Sequence, residues 1–321
     1  MIERIAILGT GLIGGSLGLV WKEERPDLTI IGHDRPDVLD RAEERGAIDA
    51  KAADPVTAVE DADLVVLATP VGTVLRMLEA IAGSLPDGTI VTDVASVKQP
   101  VLDQAREVLP DANPFVGGHP MAGAESSGIE HADALLFENA IYALCLPDNA
   151  DPADLDGRLS GVVDLIKATG ARRLGIDAAT HDRLAAVVSH LPQLVAVALV
   201  NTVAETEDPD DVAVELAAGG FRDMTRIASS PFDVWQDILV GNQGSILDAL
   251  GHFTRSLQHL RNRLLSEEYD DLEAAFETAR DTRQSIPRNQ KGFLDPLADI
   301  YVRAEDEPGV LQELTTILAD A

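Results

Sequence analysis

The sequence holds a single cysteine, Cys145, which excludes an intrachain disulfide and any cysteine-only metal centre and fits a reducing compartment in which the thiol simply packs. It also lacks long hydrophobic runs. The most apolar stretches, such as LVVLAT at 64–69, fall far short of the roughly 20 residues a bilayer requires, so no membrane span is expected. The N-terminus shows no basic segment followed by an apolar core and a small-residue cleavage site; with no signal peptide expected, the expected location is cytoplasmic. Positive charge is scarce: 55 acidic residues face 25 basic ones, a net charge of −30, and only five of the basic residues are lysines. Such a surface opposes the counterion release on which nucleic-acid binding depends, and DNA and RNA are not expected partners. The acids are spread along the chain rather than gathered in a tail. That pattern suits a whole-surface adaptation to high salt, where ions screen self-repulsion; an ordinary acidic cytosolic surface is the plainer alternative.

What is present is enough for a large core. With 321 residues and 45% hydrophobic content, the chain is long enough for about two domains. Residues 1–175 alternate short strand-like runs (RIAIL, LTIIGH, DLVVLA, GTIVTDV) with helical stretches of ten or so residues, which predicts βαβ units and a doubly wound, mostly parallel sheet. From residue 176 to 286 the strands vanish and apolar residues recur at helical spacing, predicting an all-α domain. Stretches such as LVAVALV at 194–200 are apolar over more than one side of a surface helix, so burial against a second copy, a homodimer, is expected. Residues 287–321 form a third piece. After a polar linker they hold one strand-like and one helix-like run, too little to bury a core alone.

Strand RIAIL runs directly into GTGLIGGS, placing Gly9, Gly11 and Gly14 in the G-x-G-x-x-G spacing that opens a dinucleotide-binding Rossmann fold. Gly9 allows the tight turn, Gly11 the close approach of backbone to a pyrophosphate, and Gly14 the packing of helix on strand. The N–H groups of Leu12 and Ile13 at the helix start then face the phosphates. Asp34 ends the second strand, where a carboxylate bonds the adenosine ribose hydroxyls and repels a 2′-phosphate, so NAD is the expected cofactor. Arg35 beside it is the one feature that could favour NADP instead. Two more turns are expected at the same crevice. In ATPVGTV, Thr69 and Pro70 either face the cofactor or form a plain strand-to-helix turn; in TDVASVK, Ser96 and Lys98 precede a helix, and Ser96 is either a site residue or its N-cap.

His119 stands in FVGGHPMAGAESSG, among small residues and before Pro120. Its surroundings predict a glycine-rich loop past a strand end rather than a packed core. No second histidine lies at metal-ligand spacing, so no metal is expected, and a neutral imidazole that accepts a proton fits better.

Taken together and in order, GTGLIGGS, VASVK, FVGGHPMAGAESSG, VVSHLPQ, GGFRDMTRIA and WQDI resemble the prephenate dehydrogenase family, which includes arogenate and cyclohexadienyl dehydrogenases; the likeness covers roughly residues 3–265. The resemblance implies an oxidative decarboxylation in tyrosine biosynthesis that turns prephenate into 4-hydroxyphenylpyruvate. It implies that His119 takes the proton of the ring hydroxyl and that Ser96 touches both this hydroxyl and His119. It gives His190 a place in the substrate pocket, Arg226 the role of carboxylate clamp and Glu125 that of a gating acid near the cleft mouth, while Trp235 becomes an aromatic at the dimer-associated edge. Plainer readings stay open for His190 as a core histidine, Arg226 as a surface ion pair and Trp235 as core packing. Two positions depart from many relatives: Ala124 replaces a threonine, and Gln193 replaces a second histidine after SHLP, which bears on the choice between prephenate and arogenate. The tail, VRAEDEPGVLQELTTILADA, looks like the first strand and helix of an ACT domain, an incomplete regulatory module, which leaves feedback by tyrosine open. Two rivals are weaker. A β-hydroxyacid dehydrogenase would rely on a lysine of the helical domain, and residues 176–286 contain none; a non-catalytic NAD sensor would not be expected to keep Ser96, His119 and Arg226 together.

Overall fold

The alternation of strand and helix in the first half folds as the pattern requires. A computed structural model describes residues 2–122, 127–146, 155–206, 212–286 and 309–310. In chain order the first half comprises β1 (Arg4–Leu8), α1 (Leu12–Glu24), β2 (Thr29–His33), α2 (Pro36–Glu44), β3 (Ala50–Lys51), α3 (Pro55–Val59), β4 (Leu64–Leu67) and α4 (Val71–Ile81). It continues with β5 (Ile90–Asp93), α5 (Gln99–Val108), β6 (Phe115–Pro120), β7 (Ile141–Cys145), α6 (Ser160–Ala168) and β8 (Arg172–Gly175). These strands form one sheet in the order β3-β2-β1-β4-β5-β6-β7-β8. All neighbours run parallel except β6 and β7.

Alternate residues of β1 feed two separate cores. Ile5 and Ile7 join Leu17 and Trp21 of α1 on one face, while Ala6 and Leu8 join Val74 and Leu78 of α4 and Val101 of α5 on the other. Helices on both faces are why β4, LVVL, is buried at every residue and carries no polar alternation. The strand order reverses between β1 and β4, which opens a crevice at their carboxyl ends. Register aligns those ends: Leu8 pairs with Leu67, and Leu67 with Asp93. The turns after β1, β4 and β5 therefore lie side by side.

The second half is helical: α7 (Ala178–Ala185), α8 (Leu191–Ala204), α9 (Val212–Glu215), α10 (Gly219–Thr225), α11 (Phe232–Gly241), α12 (Gln243–Leu265) and α13 (Tyr269–Ser285). Between α7 and α8, residues Ala186–His190 make a π-helical turn, so the three run as one helix from Ala178 to Ala204. Pro192 in the first turn of α8 accounts for the widened turn, because proline offers no N–H and its ring displaces the carbonyl four residues back. The SHLP break read from the sequence is thus a bulge in a continuous helix. An 18-residue window of this 27-residue helix reaches a mean hydropathy of 1.7, enough to cross a membrane by length and composition only, a test that a core helix also passes. Its buried residues include His181, Asp182, His190 and Gln193, turned inward, whereas Val187 and Val188 are exposed. The segment expected to carry the ACT-like pair lies outside the described residues except for 309–310.

Candidate active site

The glycine turn is built for close approach. Gly9 has φ 103°, and a Cβ there would stand 2.5 Å from the Ala68 carbonyl oxygen and 2.7 Å from Thr69 Cγ2, so the β4 turn lies against it. At Gly11, by contrast, a Cβ would meet nothing within 4 Å. Gly11 caps α1 without a side-chain bond and the first turn holds no acid, which leaves the N–H groups of the half-buried Leu12 and Ile13 at the helix start without a side-chain cap. Asp34 follows β2. One of its oxygens accepts from Thr10 N at 2.8 Å and the other from Arg35 N at 2.7 Å, tying the carboxylate to the glycine turn with lone pairs to spare for a ribose. Arg35 is exposed and its guanidinium lies 3.9 Å from Asp37. Thr69 is half-buried with its hydroxyl toward Met77 Sδ, and Pro70 is exposed at the start of α4. A dinucleotide fits this cradle.

Beyond it, a buried ionic cluster sets the neighbouring strand. Backbone pairing of β5 with β6 stops at Thr92 and Val116. Asp93 and Lys98, both fully buried, then form an ion pair, Lys98 Nζ donates to the Gly118 carbonyl at 2.7 Å, and Gly118 N donates to Asp93 Oδ1 at 3.0 Å. A Cβ on Gly118 would collide with the Asp93 carbonyl, so only glycine lets the cluster close. Burial pushes the Asp93 carboxyl above the usual carboxylate range, opposed by Lys98.

This clamp places His119. The residue lies inside β6, opposite Ala143 of β7, not in a loop past a strand end as expected. The glycines preceding it mark close backbone approach rather than a loop, and the antiparallel return of β7 extends the pairing through Pro120. His119 Nδ1 is 2.8 Å from Nε2 of His181 in α7, and His181 Nδ1 is 2.8 Å from Asp182 Oδ1. Asp182 also accepts from Lys98 N at 2.8 Å and Gln99 N at 2.9 Å, closing the orphan N–H groups at the start of α5 from another element. Ser96 therefore does not cap α5. It is half-buried, and among the described residues no hydrogen bond joins it to His119. Nor does His119 Nε2 find a partner there. Burial, with Lys98, His181 and His190 nearby, holds the His119 pKa well below the ordinary histidine value, so the ring is neutral.

His190 lies on the π-turn, 1% exposed. Asn242 Nδ2 donates to the Asp182 carbonyl at 2.6 Å and faces His190 Nδ1 at 3.3 Å, which leaves the His190 proton on Nε2, buried and without a partner among the described residues. Burial lowers its pKa to about 4. The Trp235 ring of α11 stands edge-on to it at 6.0 Å. Arg226 is exposed at the end of α10, in a short turn packed on α8. Glu125 lies outside the described residues. A cavity of about 810 Å³ opens elsewhere, at the amino ends of β1, β4 and β5 among Arg25, Asp63 and Arg158, far from the glycine turn.

Comparison with known proteins decides the family. The family described as "Prephenate dehydrogenase, nucleotide-binding domain" matches residues 17–174, and "Prephenate dehydrogenase, dimerization domain" matches 177–278. The chain belongs to the prephenate dehydrogenase family. Prephenate dehydrogenase of Bacillus subtilis (strain 168) is 40% identical over 99% of this chain and 85% of its own. Cyclohexadienyl dehydrogenase of Zymomonas mobilis is 33% identical over 89% and 97%. The crystal structure of the A. aeolicus prephenate dehydrogenase in complex with hydroxyphenyl propionate and NAD+ superposes with a TM-score of 0.82, at 31% identity, covering 89% of this chain and 99% of that one. Like these relatives, the chain is an oxidoreductase of this family.

Sequence reasoning missed His181, Asp182 and Asn242, and gave Lys98 a place but no partner. A signal for the first two was there. Buried positions 178, 181, 182 and 185 follow helical spacing, which puts a histidine and an aspartate on the inward stripe of an apolar helix.

Proposed function

We propose that this protein catalyses the oxidative decarboxylation of prephenate to 4-hydroxyphenylpyruvate, with arogenate as the second substrate to test. The observation that carries the reading is His119: a neutral, buried imidazole at the carboxyl edge of the sheet, anchored through Nδ1, with Nε2 open to a ligand. The cofactor is NAD; the cradle of Gly9, Gly11, Gly14 and Asp34 would hold it, and it would supply the hydride acceptor for the carbinol carbon. His119 Nε2 takes the hydroxyl proton as that carbon becomes carbonyl-like. The ring carboxylate leaves as CO2, its bonding pair enters the ring, and the phenolic oxygen recovers a proton. Aromatisation drives the step, so the chain's task is placement. Ser96, half-buried in the turn after β5, is positioned to orient the hydroxyl; the unpartnered His190 Nε2–H is a donor that a substrate would satisfy; Arg226 suits a carboxylate as a bidentate clamp. We assign Glu125 to the cleft mouth and Trp235 to the wall behind His190.

The dinucleotide domain comprises residues 1–175 and the substrate and dimerisation domain 176–286. Exposed Leu257, Leu260 and Leu264 form a stripe on α12, with Phe276 on α13, and support a homodimer through these helices. The enzyme belongs in the cytoplasm.

The test is NADH formation from prephenate and, separately, arogenate, with NAD and with NADP, at low and high salt. Activity with prephenate and NAD is expected. Silence with both substrates from a folded protein would overturn the reading. In the same assay His119→Asn should lower kcat by about 10³-fold with NAD affinity little changed.

A further inference from the structure

The hydrogen bonds around His119 continue past it, and their direction is fixed by what each atom can do. Asp182 is a carboxylate that accepts two backbone N–H groups, from Lys98 and Gln99, in addition to its contact with His181. A carboxylate can only accept, so His181 Nδ1 must carry a proton. With a single proton on the His181 ring, Nε2 is an acceptor and His119 Nδ1, 2.8 Å away, is the donor. His119 is left with its lone pair on Nε2, the atom without a partner among the described residues. The opposite tautomer would bring two lone pairs together inside a site where His119, His181 and Asp182 are at most 8% exposed.

We infer that His181 and Asp182 are positioning residues for the proton-transfer step: the pair sets the tautomer and ring plane of His119 and stabilises the imidazolium formed when Nε2 takes the substrate proton. This rests on the proposed role of His119. In the step, the substrate O–H bond breaks, a bond from His119 Nε2 to that proton forms, and the positive charge spreads through His119 Nδ1–H toward His181 while every other proton keeps its atom. The need is evident from the other charges that face the ring. Besides burial, Lys98, paired with Asp93, and His181 and His190 all act to lower the His119 pKa. Asp182 is the negative group linked to His119 through a hydrogen-bonded path, and it belongs to the helical half whereas His119 belongs to the sheet. The two rings meet edge-on, with centroids 5.0 Å apart and planes at 68°, which suits an in-plane N–H of one aimed at the lone pair of the other.

Nitrogen NMR of histidine-labelled full-length protein reads the tautomers directly, without turnover. In the wild type His119 should show a protonated Nδ1 and an unprotonated Nε2, and His181 a protonated Nδ1. His181→Ala should convert His119 to a tautomer mixture and lower kcat on the order of 100-fold with KM for prephenate and for NAD nearly unchanged. The acid limb of the pH profile should move to lower pH, since without the pair the His119 imidazolium is less stabilised. His181→Gln, whose side-chain oxygen can accept from Nδ1–H, should restore much of the rate and the single tautomer. A wild-type His119 carrying its proton on Nε2 would overturn the inference; so would a His181→Ala enzyme with a single Nδ1–H tautomer and kcat within a few-fold of normal. Should His181→Ala fail to fold, the wild-type spectrum and His181→Gln still decide it. If neither prephenate nor arogenate is turned over, the functional reading fails while the tautomer measurement continues to judge the hydrogen-bond chain.

Discussion

The two halves of the chain solve the burial problem differently. The dinucleotide half closes on itself: β1 and β4 are covered on both faces, and the cores on either side of the sheet are continuous. Among the described residues the helical half's own core cluster is small, Ala186, Ile246 and Ala249, with Ala178 and Ile238 packed into the sheet's core instead, and it leaves Leu257, Leu264 and Phe276 exposed. One half therefore owes its stability to its own sheet, and the other needs contacts from outside itself. The residues proposed for the proton transfer follow the same division, with His119 held in the sheet and its partners His181 and Asp182 supplied by a helix.

The largest effect should come from breaking the self-sufficient half at its buried charge pair. Lys98→Met leaves Asp93 buried and unpaired and should cost about 3–5 kcal/mol in denaturant unfolding; adding Asp93→Asn should recover most of it, because the loss comes from the stranded charge rather than from the pair's own contribution. Acid sharpens the comparison from the helical side. His190 is held near 4 by burial against about 6.5 when unfolded, so the unfolded chain binds the extra proton between these values. The contribution is present above 6.5 and is lost as pH falls toward 4, an effect of up to about 3 kcal/mol. His119, lowered in the same direction, adds to it. Unfolding followed against pH should show this slope, and His190→Asn should flatten it.

Charging the exposed stripe tests the other half's dependence on a partner. Leu257→Asp with Leu264→Asp should give a monomer in sedimentation, with helical signal lost at a lower temperature than sheet signal, while a chain that stays dimeric would remove this stripe from the interface. The smallest effect is expected from salt. With a net charge of −30, raising ionic strength should raise the melting midpoint by a few degrees, and a protein already at full stability in salt-free buffer would count against high-salt adaptation.

The fold was legible because its signals are local. G-x-G-x-x-G between a strand and a helix, and apolar runs at strand length, need no tertiary knowledge, and both stand where the alternation put them. His119 could be read from the sequence as a candidate proton acceptor, the role proposed above, but its place in a strand was misread as a loop. Adjacent glycines suggest a loop, yet here they remove side chains so that Asp93 and Lys98 can reach strand backbone. The orienting groups were harder to see because their meaning is not local. Nothing near residues 180–183 says that Asp182 caps a helix eighty-odd residues earlier in the chain. His190 and Trp235 could be named from their motifs, but the Asn242 contact that fixes the His190 proton comes from the start of α12 and has no signature.

The position of Asp182 also limits how the protein can be taken apart. The sheet ends at Gly175 and the helices begin at Ala178, which looks like a natural place to cut and exchange modules. A helical half grafted onto a foreign nucleotide-binding half would bring His181 and Asp182 with it, but would meet another chain's α5 and another histidine strand. Only partners whose α5 starts at the same height could accept it. In this molecule the seam of the fold and the seam of the chemistry fall in different places.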